Sequence, residues 1–578
     1  MTIRLLAFLA ASALTITAAQ RPNVILILTD DQGHGDLGFH HNPKIHTPNL
    51  DRLAVEGVRF ERFHVSPVCA PTRSSLMTGR YNYRTGVVDT FAGRAMMAPD
   101  EVTIAQMLAR GGYRTGIFGK WHLGDNYPLR AMDRGFGESL VINGGGMAQE
   151  GDPPFPVHTN GAYFDPWLSQ NGHWVRRKGY ITDVLTDAAI EFIGRADHRP
   201  FFLYLPFNAP HTPLQVPDSY YRRYRDADLT VPQTGGHPVE HADHETTARI
   251  YAMVECIDDN VGRVLDKLDQ MKIARDTIVV FLSDNGPQQP RYNSGLLDLK
   301  GNTHEGGVRV PCFARWPGHF RPGLAVKRIA AHIDLAPTLL ELCGVGKPPE
   351  VSFDGLSLAP LMRQRPVAWP DRTIFFQWHR GDVPELNRAC AAVTEDYKLV
   401  QPLGAFASPP ATDRVFELYD YRGDDQEMRN LAGERPEVVA RMREAYEKWF
   451  RDVTRTRDYT QPPRVRVGTP SEPEVLLTRQ DWRGGDGEAG QPRIGHWQVE
   501  VAAGGTYSIR VHYPKSARAG TATFGCGDLH LEQELAAGET TVAWSGLRLP
   551  AGPGSVEAVW QAGAERVGAK YVELGYFP

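Results

Sequence analysis

The chain has 578 residues, of which 42% are hydrophobic and 23% are charged, and its formal net charge is -5. This length exceeds the ~250 to 300 residues at which a single core stops growing, so two or more domains are expected. The composition is ordinary for a soluble globular protein, and the slightly acidic balance argues against a nucleic-acid partner, because phosphate binding needs a concentrated basic surface.

The first 19 residues are predicted to be a secretory signal peptide. They carry Arg4, then an apolar run from Leu5 to Ile16, then small residues, which is the order typical of a cleaved export signal. The alternative is a membrane anchor, but the run is shorter than the ~20 apolar residues that a span needs. We therefore expect a secreted or periplasmic protein without a membrane span.

Strands and helices alternate along the following part of the chain. Three segments are short, rich in β-formers and apolar on both faces, as strands buried inside an α/β sheet are: residues 23–29, 201–205 and 277–282. Residues 47–53 open with Thr-Pro and predict a helix that stops at Gly57, and apolar residues between Ile250 and Leu268 have the spacing of a long helix. The alternation predicts an α/β fold with a large, mostly parallel central sheet flanked by helices.

Polar residues follow each of the predicted strands, where ligands bind in such sheets. The three strand ends are followed by Asp30 and Asp31, by His211, and by Asp284 and Asn285, and the further segment 113–119 is followed by Lys120 and His122. Carboxylate and amide oxygens suit Ca2+ or Mg2+, and calcium fits an exported protein better. An isolated Asp-Asp pair is more often a turn or a helix cap. Two such pairs after two buried strands favour a metal site.

Residues 69–73 read Cys-Ala-Pro-Thr-Arg. Because Pro71 suits the first turn of a helix, Cys69 is expected at a helix N-terminus, where unpaired N–H groups and the helix dipole favour an anion. The alternative is a buried cysteine that precedes a helix and has no chemical role.

Together these motifs resemble the type I sulfatases of the alkaline-phosphatase-like superfamily. The resemblance covers roughly residues 20 to 455 and is carried by residues 29–33, 47–54, 69–73, 119–124, 209–213, 283–286, 300–307, 334–340 and 417–420. It implies a sulfuric ester hydrolase.

The resemblance implies that a formylglycine-generating maturation enzyme oxidises Cys69 to formylglycine. The hydrated aldehyde is a geminal diol, of which one hydroxyl attacks sulfur while the other later expels sulfate and restores the aldehyde. Turnover then needs no second attack on sulfur, which is covalent catalysis with an easy second step.

The resemblance also implies the roles of the remaining site residues. The cation, which would bind a sulfate oxygen and acidify the attacking hydroxyl, would be held by Asp30, Asp31, Asp284, Asn285 and residue 69. Arg73 would hold the diol oxygens and the metal-binding carboxylates, and His122 would take the proton of the diol during elimination. The sulfate would be contacted by Lys120, His211 and Lys300, the last two neutralising the leaving oxygen. Taken singly, each basic residue is more often structural or solvated.

The residue pattern of the chain changes beyond Phe450. The expected units are a catalytic α/β domain (20–330), a smaller α+β subdomain (331–455), a linker (456–470) and a β-sandwich (471–578). Residues 497–501 and 507–513 alternate with period two, as half-buried antiparallel strands do. The predicted β-sandwich contains three tryptophans that could contact a glycan or fill the sandwich core: Trp482, Trp544 and Trp560.

The substrate stays open at this point. Aromatic residues between Asn143 and Arg177, around a predicted hairpin turn at Asn171-Gly172, could stack on sugars or cover the sheet edge. The chain could be an exported calcium-dependent sulfatase acting on a saccharide or aryl sulfate, a phosphodiester or phosphonate monoester hydrolase on the same scaffold, or an inactive glycan-binding protein.

Overall fold

The computed structural model describes residues 21–149, 161–232, 235–239, 241–406, 415–484 and 494–577. The predicted signal peptide lies outside these ranges. Among the described residues, no helix combines the length and apolarity that crossing a membrane requires. All six cysteines of the chain are described, and each is buried and forms no disulfide bond within the described residues.

The structure contains helices of four to 27 residues. In chain order they are α1 (Pro48–Glu56), α2 (Cys69–Thr78), α3 (Asn82–Thr85), α4 (Ile104–Arg110), α5 (Ile181–Gly194), α6 (Asp218–Arg225), α7 (His244–Gln270), α8 (Glu305–Val308), α9 (Leu335–Cys343), α10 (Ala359–Met362) and α11 (Pro436–Thr454). The predicted helices at 47–53 and 250–268 are α1, which ends before Gly57, and α7.

The strands fall into a central sheet, two smaller sheets that precede residue 421 and two sheets near the C-terminus. In chain order they are β1 (Asn23–Thr29), β2 (Val58–Phe60), β3 (Phe63–His64), β4 (Arg114–Lys120), β5 (Glu138–Ile142), β6 (Trp167–Gln170), β7 (His173–Arg176), β8 (Phe201–Pro206), β9 (Thr277–Ser283), β10 (Cys312–Arg315), β11 (Leu324–Val326), β12 (Ala330–Ala331), β13 (Ile374–Gln377), β14 (Cys390–Val393), β15 (Tyr397–Gln401), β16 (Glu417–Asp420), β17 (Val465–Val467), β18 (Glu474–Thr478), β19 (His496–Val501), β20 (Gly505–His512), β21 (Gly520–Cys526), β22 (Leu529–Leu535), β23 (Thr541–Leu549), β24 (Gly552–Ala562), β25 (Glu565–Gly568) and β26 (Tyr571–Phe577).

The central sheet has ten strands in the order β11-β2-β10-β9-β1-β8-β4-β5-β6-β7. Its middle, β9-β1-β8-β4-β5, is parallel throughout. Successive residues of β1 pack into different cores: Leu26 lies in the core on one face of the sheet, and Ile25 and Ile27 lie in the core on the other. Burial on both faces explains why these strands are apolar without alternation. The predicted α/β class with a mostly parallel central sheet is confirmed.

The smaller α+β unit follows the central sheet in the chain. Strands β13 to β16 form an antiparallel sheet in sequence order. Helix α11 covers it, because Met442, Tyr446 and Trp449 share one apolar cluster with the sheet residues Phe376 and Leu418. This is the predicted smaller subdomain.

Strands β17 to β26 form two sheets that share one apolar core, and we call them the C-terminal β unit. All of its described strand pairs are antiparallel except β17 with β19. The segment predicted as a linker, 456–470, contains β17, which pairs with β19. Trp482 and Trp560 are buried in the core and Trp544 packs against it, so core packing accounts for these side chains.

Candidate active site

The parallel strands β1 and β9 bring two polar pairs together. Thr29 and Ser283 are partners in the last register position of these strands, so the residues that follow leave the sheet side by side. The Asp31 N–H donates to Asp284 Oδ1 at 3.3 Å, and Asn285 Nδ2 donates to Asp31 Oδ1 at 2.7 Å. Asp31 also has a left-handed backbone with φ of 65°, an uncommon conformation for a residue with a side chain.

The oxygens of this cluster fit a hard divalent cation. Asp30 Oδ1, Asp31 Oδ2 and Asn285 Oδ1 are buried and have no hydrogen-bond partner within the described residues. Ligand atoms of Asp30, Cys69 and Asp284 lie within 4.8 Å of one another. Burial and the neighbouring charge of Asp30 raise the pKa of Asp284 to about 7, as expected where carboxylates crowd without sufficient counter-charge. Buried oxygen donors of this kind are the ligands that Ca2+ and Mg2+ take.

Arg73 and Lys120 hold the carboxylates in place. Arg73 is buried, donates to Asp284 Oδ2 at 2.7 Å and lies 3.4 Å from Asp30. The Lys120 ammonium donates to Asp30 Oδ2 at 2.5 Å. Although burial opposes ionisation, Lys120, together with His211 and Arg73, lowers the pKa of Asp30 well below its usual range. Asp30 is therefore a carboxylate at every pH of interest.

Cys69 is the first residue of α2, as the proline-containing motif predicts. Its side chain is buried, yet it reaches the wall of a cleft that also contains His122, His211 and Lys300. Burial raises the pKa of the Cys69 thiol, and the charges of Lys120 and Lys300 offset this only in part. The unmodified side chain is therefore a neutral thiol near pH 7, not a thiolate nucleophile.

His122 is held as a neutral base. Its Nε2 lies 2.6 Å from the Thr90 carbonyl oxygen, which can only accept, so Nε2 carries the proton. Nδ1 is buried without a partner among the described residues. Burial and the nearby Lys120 charge hold the pKa of His122 well below 6.5. A Cβ atom at Gly145 would lie 3.1 Å from Nε2, so the glycine leaves room for the ring in this position.

His211 and Lys300 both lie next to Asp31. Lys300 donates to Asp31 Oδ1 at 2.5 Å, and His211 Nε2 is 3.8 Å from Asp31 Oδ2. Burial opposes the charge of Lys300, but Asp31 raises its pKa overall, whereas burial lowers the pKa of His211. Tyr163, from the aromatic loop that the sequence singled out, is buried and donates to the His211 carbonyl at 2.6 Å. The predicted hairpin turn connects β6 and β7 at Asn171 and Gly172, both with positive φ.

All residues proposed from the sequence for the site thus come together, although Lys120 and Lys300 contact carboxylates in this structure. The cleft above them has a volume of about 870 Å³, near the upper end for ligand pockets. Sequence reasoning missed other residues that line it, which include Arg380, Arg479, Gln480, Lys570 and Tyr571. No motif marks these positions, because they reach the cleft only through the packing of separate units.

Known proteins are similar to this chain in sequence and in fold. A family model described as sulfatase matches residues 22–345, and one described as N-sulphoglucosamine sulphohydrolase, C-terminal, matches residues 294–451. N-acetylgalactosamine-6-sulfatase of Sus scrofa is 34% identical over 423 residues, which are 68% of this chain and 74% of that protein. Arylsulfatase A of Homo sapiens is 32% identical over 485 residues, or 75% of this chain and 89% of that protein.

Solved structures are also similar to this chain in fold. Ps i-CgsB, crystallised with k-i-k-neocarrahexaose, has a TM-score of 0.63 and 29% identity, covering 74% of this chain and 93% of its own. A phosphonate monoester hydrolase of Agrobacterium radiobacter shares the fold, with a TM-score of 0.54 and 22% identity over 76% of this chain and 97% of its own. The match over more than half of the chain identifies the protein as a member of the sulfatase family and as a sulfuric ester hydrolase.

Proposed function

We propose that the protein is an exported sulfatase that hydrolyses sulfate esters of a saccharide or an aryl alcohol. Its nucleophile would be formylglycine, made from Cys69, and it would use a bound Ca2+. The observation that carries the proposal is the convergence of Cys69, three unpartnered carboxylate and amide oxygens and four buried cationic or histidine side chains in one pocket. Export would follow from residues 1–19. The domain boundaries given by the sequence are kept as part of the proposal, except that the C-terminal β unit begins with β17 at Val465 and not at residue 471.

The state of Cys69 supports conversion by a maturation enzyme. A buried thiol with a raised pKa is a poor nucleophile toward an anionic ester. Formylglycine supplies a hydrated aldehyde whose two hydroxyl groups allow attack on sulfur and later release of sulfate. The N-terminus of α2, with residue 69 at its first position, favours negative charge there.

Each side chain around residue 69 would bind a different charged group or take up a proton. Arg73 would hold the carboxylates and the oxygens of residue 69, and neutral His122 would take a proton at Nδ1 when sulfate leaves. Lys120 would contact the sulfate, while His211 and Lys300 would stabilise the leaving oxygen. Asp30, Asp31, Asp284 and Asn285 would hold the cation, which when bound would polarise a sulfate oxygen and lower the pKa of the attacking hydroxyl.

The substrate class is argued from the relatives and the cleft. One relative is named N-acetylgalactosamine-6-sulfatase, and one structural neighbour was crystallised with k-i-k-neocarrahexaose. The cleft here is large enough for more than an aryl group, and aromatic side chains such as Phe406 and Tyr571 line it. A sulfated saccharide is therefore the first substrate to test.

The test compares release of product from 4-nitrophenyl sulfate, N-acetylgalactosamine 6-sulfate and bis(4-nitrophenyl) phosphate. We expect a sulfate ester to be the best substrate; faster cleavage of the phosphodiester would favour the alternative hydrolase on this scaffold. Cys69→Ala is expected to abolish turnover, whereas Cys526→Ala, the same change in the C-terminal β unit, should keep it. Mass spectrometry of peptide 62–80 should show a loss of about 18 Da from the unmodified thiol.

A further inference from the structure

The cleft is built by three parts of the chain. Cys69, His211 and Lys300 belong to the catalytic α/β unit, and Arg380 follows strand β13 of the smaller unit. Arg479 and Lys570 come from the C-terminal β unit, which lies outside the residues matched by the two family models. A unit appended to the sulfatase fold therefore forms one wall of its active-site cleft.

This wall is fixed to the catalytic unit. The Gly93 N–H donates to the Gln480 carbonyl at 2.9 Å, and the Tyr127 N–H donates to Glu472 at 2.7 Å. Met96 and Leu129 of the catalytic unit are buried in the apolar core of the β unit. The shared core and the hydrogen bonds on either side of it hold the β unit in one orientation, unlike a binding module on a flexible tether.

Lys570 and Arg479 are neighbours on this wall. Arg479 donates to the carbonyl oxygens of Gly568 and Ala569 at 2.7 and 3.0 Å, directly before Lys570 in the chain. Its guanidinium also lies 4.7 Å from the ring centre of Trp482. Lys570 is exposed, and its ammonium has no ion-pair or hydrogen-bond partner among the described residues. Two cations thus face the cleft side by side.

The charged side chains in the described lining of the cleft are cationic. Its described lining includes Lys300, Arg380, Arg479 and Lys570 but no aspartate or glutamate, although the chain carries a net charge of -5. Arg380 is paired with Asp89 at 2.8 Å, so Lys570 is the cation of this lining that is best placed to bind an additional anion. A single sulfate bound at residue 69 would leave the Lys570 ammonium without an anionic partner.

We infer that the C-terminal β unit forms a second anion-binding subsite, in which Lys570, beside Arg479, binds another sulfate group of a polysulfated saccharide. The inference rests on the proposed function and deepens it, since it assigns to the β unit a part in substrate selection. The sugar rings between the two sulfates would lie along aromatic side chains such as Phe406 and Tyr571.

Binding is measured by calorimetry in the Cys69→Ala background, so that turnover does not interfere. The probes are sucrose octasulfate, which offers several sulfates, and glucose 6-sulfate, which offers one. Lys570→Gln should weaken binding of the octasulfate about 5-fold, the upper range for one exposed ion pair, and Lys570→Glu should weaken it further. The affinity for glucose 6-sulfate should change much less.

Lys515, an exposed lysine of the same unit away from the cleft, provides the matched control. Lys515→Glu should leave both affinities unchanged, and salt should weaken octasulfate binding less in Lys570→Gln than in its parent. Equal losses for both probes, equal effects at Lys515 and Lys570, or no loss at all would overturn the subsite. Failure of the proposed function would appear separately, as absence of sulfate release by the protein with Cys69 intact.

Discussion

His122 and Gln480 share one acceptor, the carbonyl oxygen of Thr90, at 2.6 Å and 2.9 Å. A carbonyl oxygen has two lone pairs and can accept both donors. Gln480 belongs to the C-terminal β unit and is buried, so this unit helps to fix the group that orients the proposed base. Gln480 is a positioning residue, because it acts on His122 only through Thr90.

Gln480→Met is expected to lower kcat about 10-fold, since it removes the donor that holds the Thr90 carbonyl and lets the His122 ring move from its productive position. KM for 4-nitrophenyl sulfate should change little, because the residues that contact the sulfate are untouched. Steady-state kinetics measure both constants. Gln498→Met, in the same unit but outside the cleft, is the control; a Gln480 variant with wild-type kcat would refute the positioning role.

Lys398→Met is expected to destabilise the protein by about 3–5 kcal/mol, the usual cost of removing one partner of a buried ion pair. The Lys398 ammonium contacts Glu305 at 2.7 Å and Glu427 at 2.9 Å, and all three side chains are fully buried. Without it, the two buried carboxylates would lose the ammonium that they share, and the Arg309 guanidinium, 3.7 Å from Glu305, would be the nearest remaining cation of Glu305. Urea unfolding measures the loss.

Lys448→Met, an exposed lysine of α11, should cost little by comparison. Adding Glu305→Gln to Lys398→Met should restore part of the stability, because it removes one of the uncompensated charges. If the single Lys398 variant unfolds at the same urea concentration as wild type, this network contributes no net stability.

Much of the site could be predicted because its chemistry follows strand ends directly. Asp30 and Asp284 come immediately after β1 and β9, so the order of elements in a parallel sheet is enough to place them together. Residue 69 was placed at a helix N-terminus by Pro71, and α2 begins there. These rules depend only on residues close together in the chain, so they can be applied to the sequence directly.

The rest depended on packing between distant segments. The hydrogen bond between Gln480 and Thr90 joins residues 390 positions apart, and no periodicity or motif marks either one. The left-handed backbone of His122, with φ of 60°, is equally invisible, because the surrounding fold and not the residue type imposes it. Lys570 was overlooked for the same reason, since only the docking of the β unit turns it toward the cleft.

Removal of bound calcium by EGTA is expected to abolish sulfate release and to lower Tm. Asp30, Asp31 and Asp284 lie crowded in a buried site, and a cation at 100 times its Kd would add about 2.7 kcal/mol to the folded state. Returning Ca2+ should restore both properties, and Mg2+ should do so less well. Scanning calorimetry reads the stability independently of activity.

Asp30→Asn should remove most of the response of Tm to calcium, because it removes one anionic ligand. Asp528→Asn, on the exposed surface of the β unit, should retain the full response. A protein whose Tm is indifferent to both EGTA and calcium would contradict the metal site.

Asp481→Asn is expected to stabilise the protein at pH 8 and to flatten the dependence of its stability on pH. Asp481 and Asp125 are buried where the β unit meets the catalytic unit, and both oxygens of Asp125 lack a partner among the described residues. Burial raises the pKa of Asp481 to about 7, and burial together with Asp481 raises that of Asp125 well above its usual value.

The direction of the pH dependence follows from which state, folded or unfolded, keeps the Asp481 proton. The folded protein keeps the Asp481 proton in a pH range in which the unfolded chain, with a pKa near ~4, has lost it. Stability from this group is therefore complete below pH ~4 and is lost as the pH rises through about 7. The loss is about 4 kcal/mol, since the two pKa values differ by about three units and each unit corresponds to about 1.4 kcal/mol.

An amide at position 481 cannot ionise, so its variant should lose less stability between pH 5 and pH 8, as measured by urea unfolding at a series of pH values. Asp528→Asn removes the same charge from an exposed position and should follow the wild-type pH profile. If the wild-type protein grew more stable as the pH rose over this range, the buried pair would be ionised already in the folded state. The β unit would then dock against the catalytic unit with both charges in place.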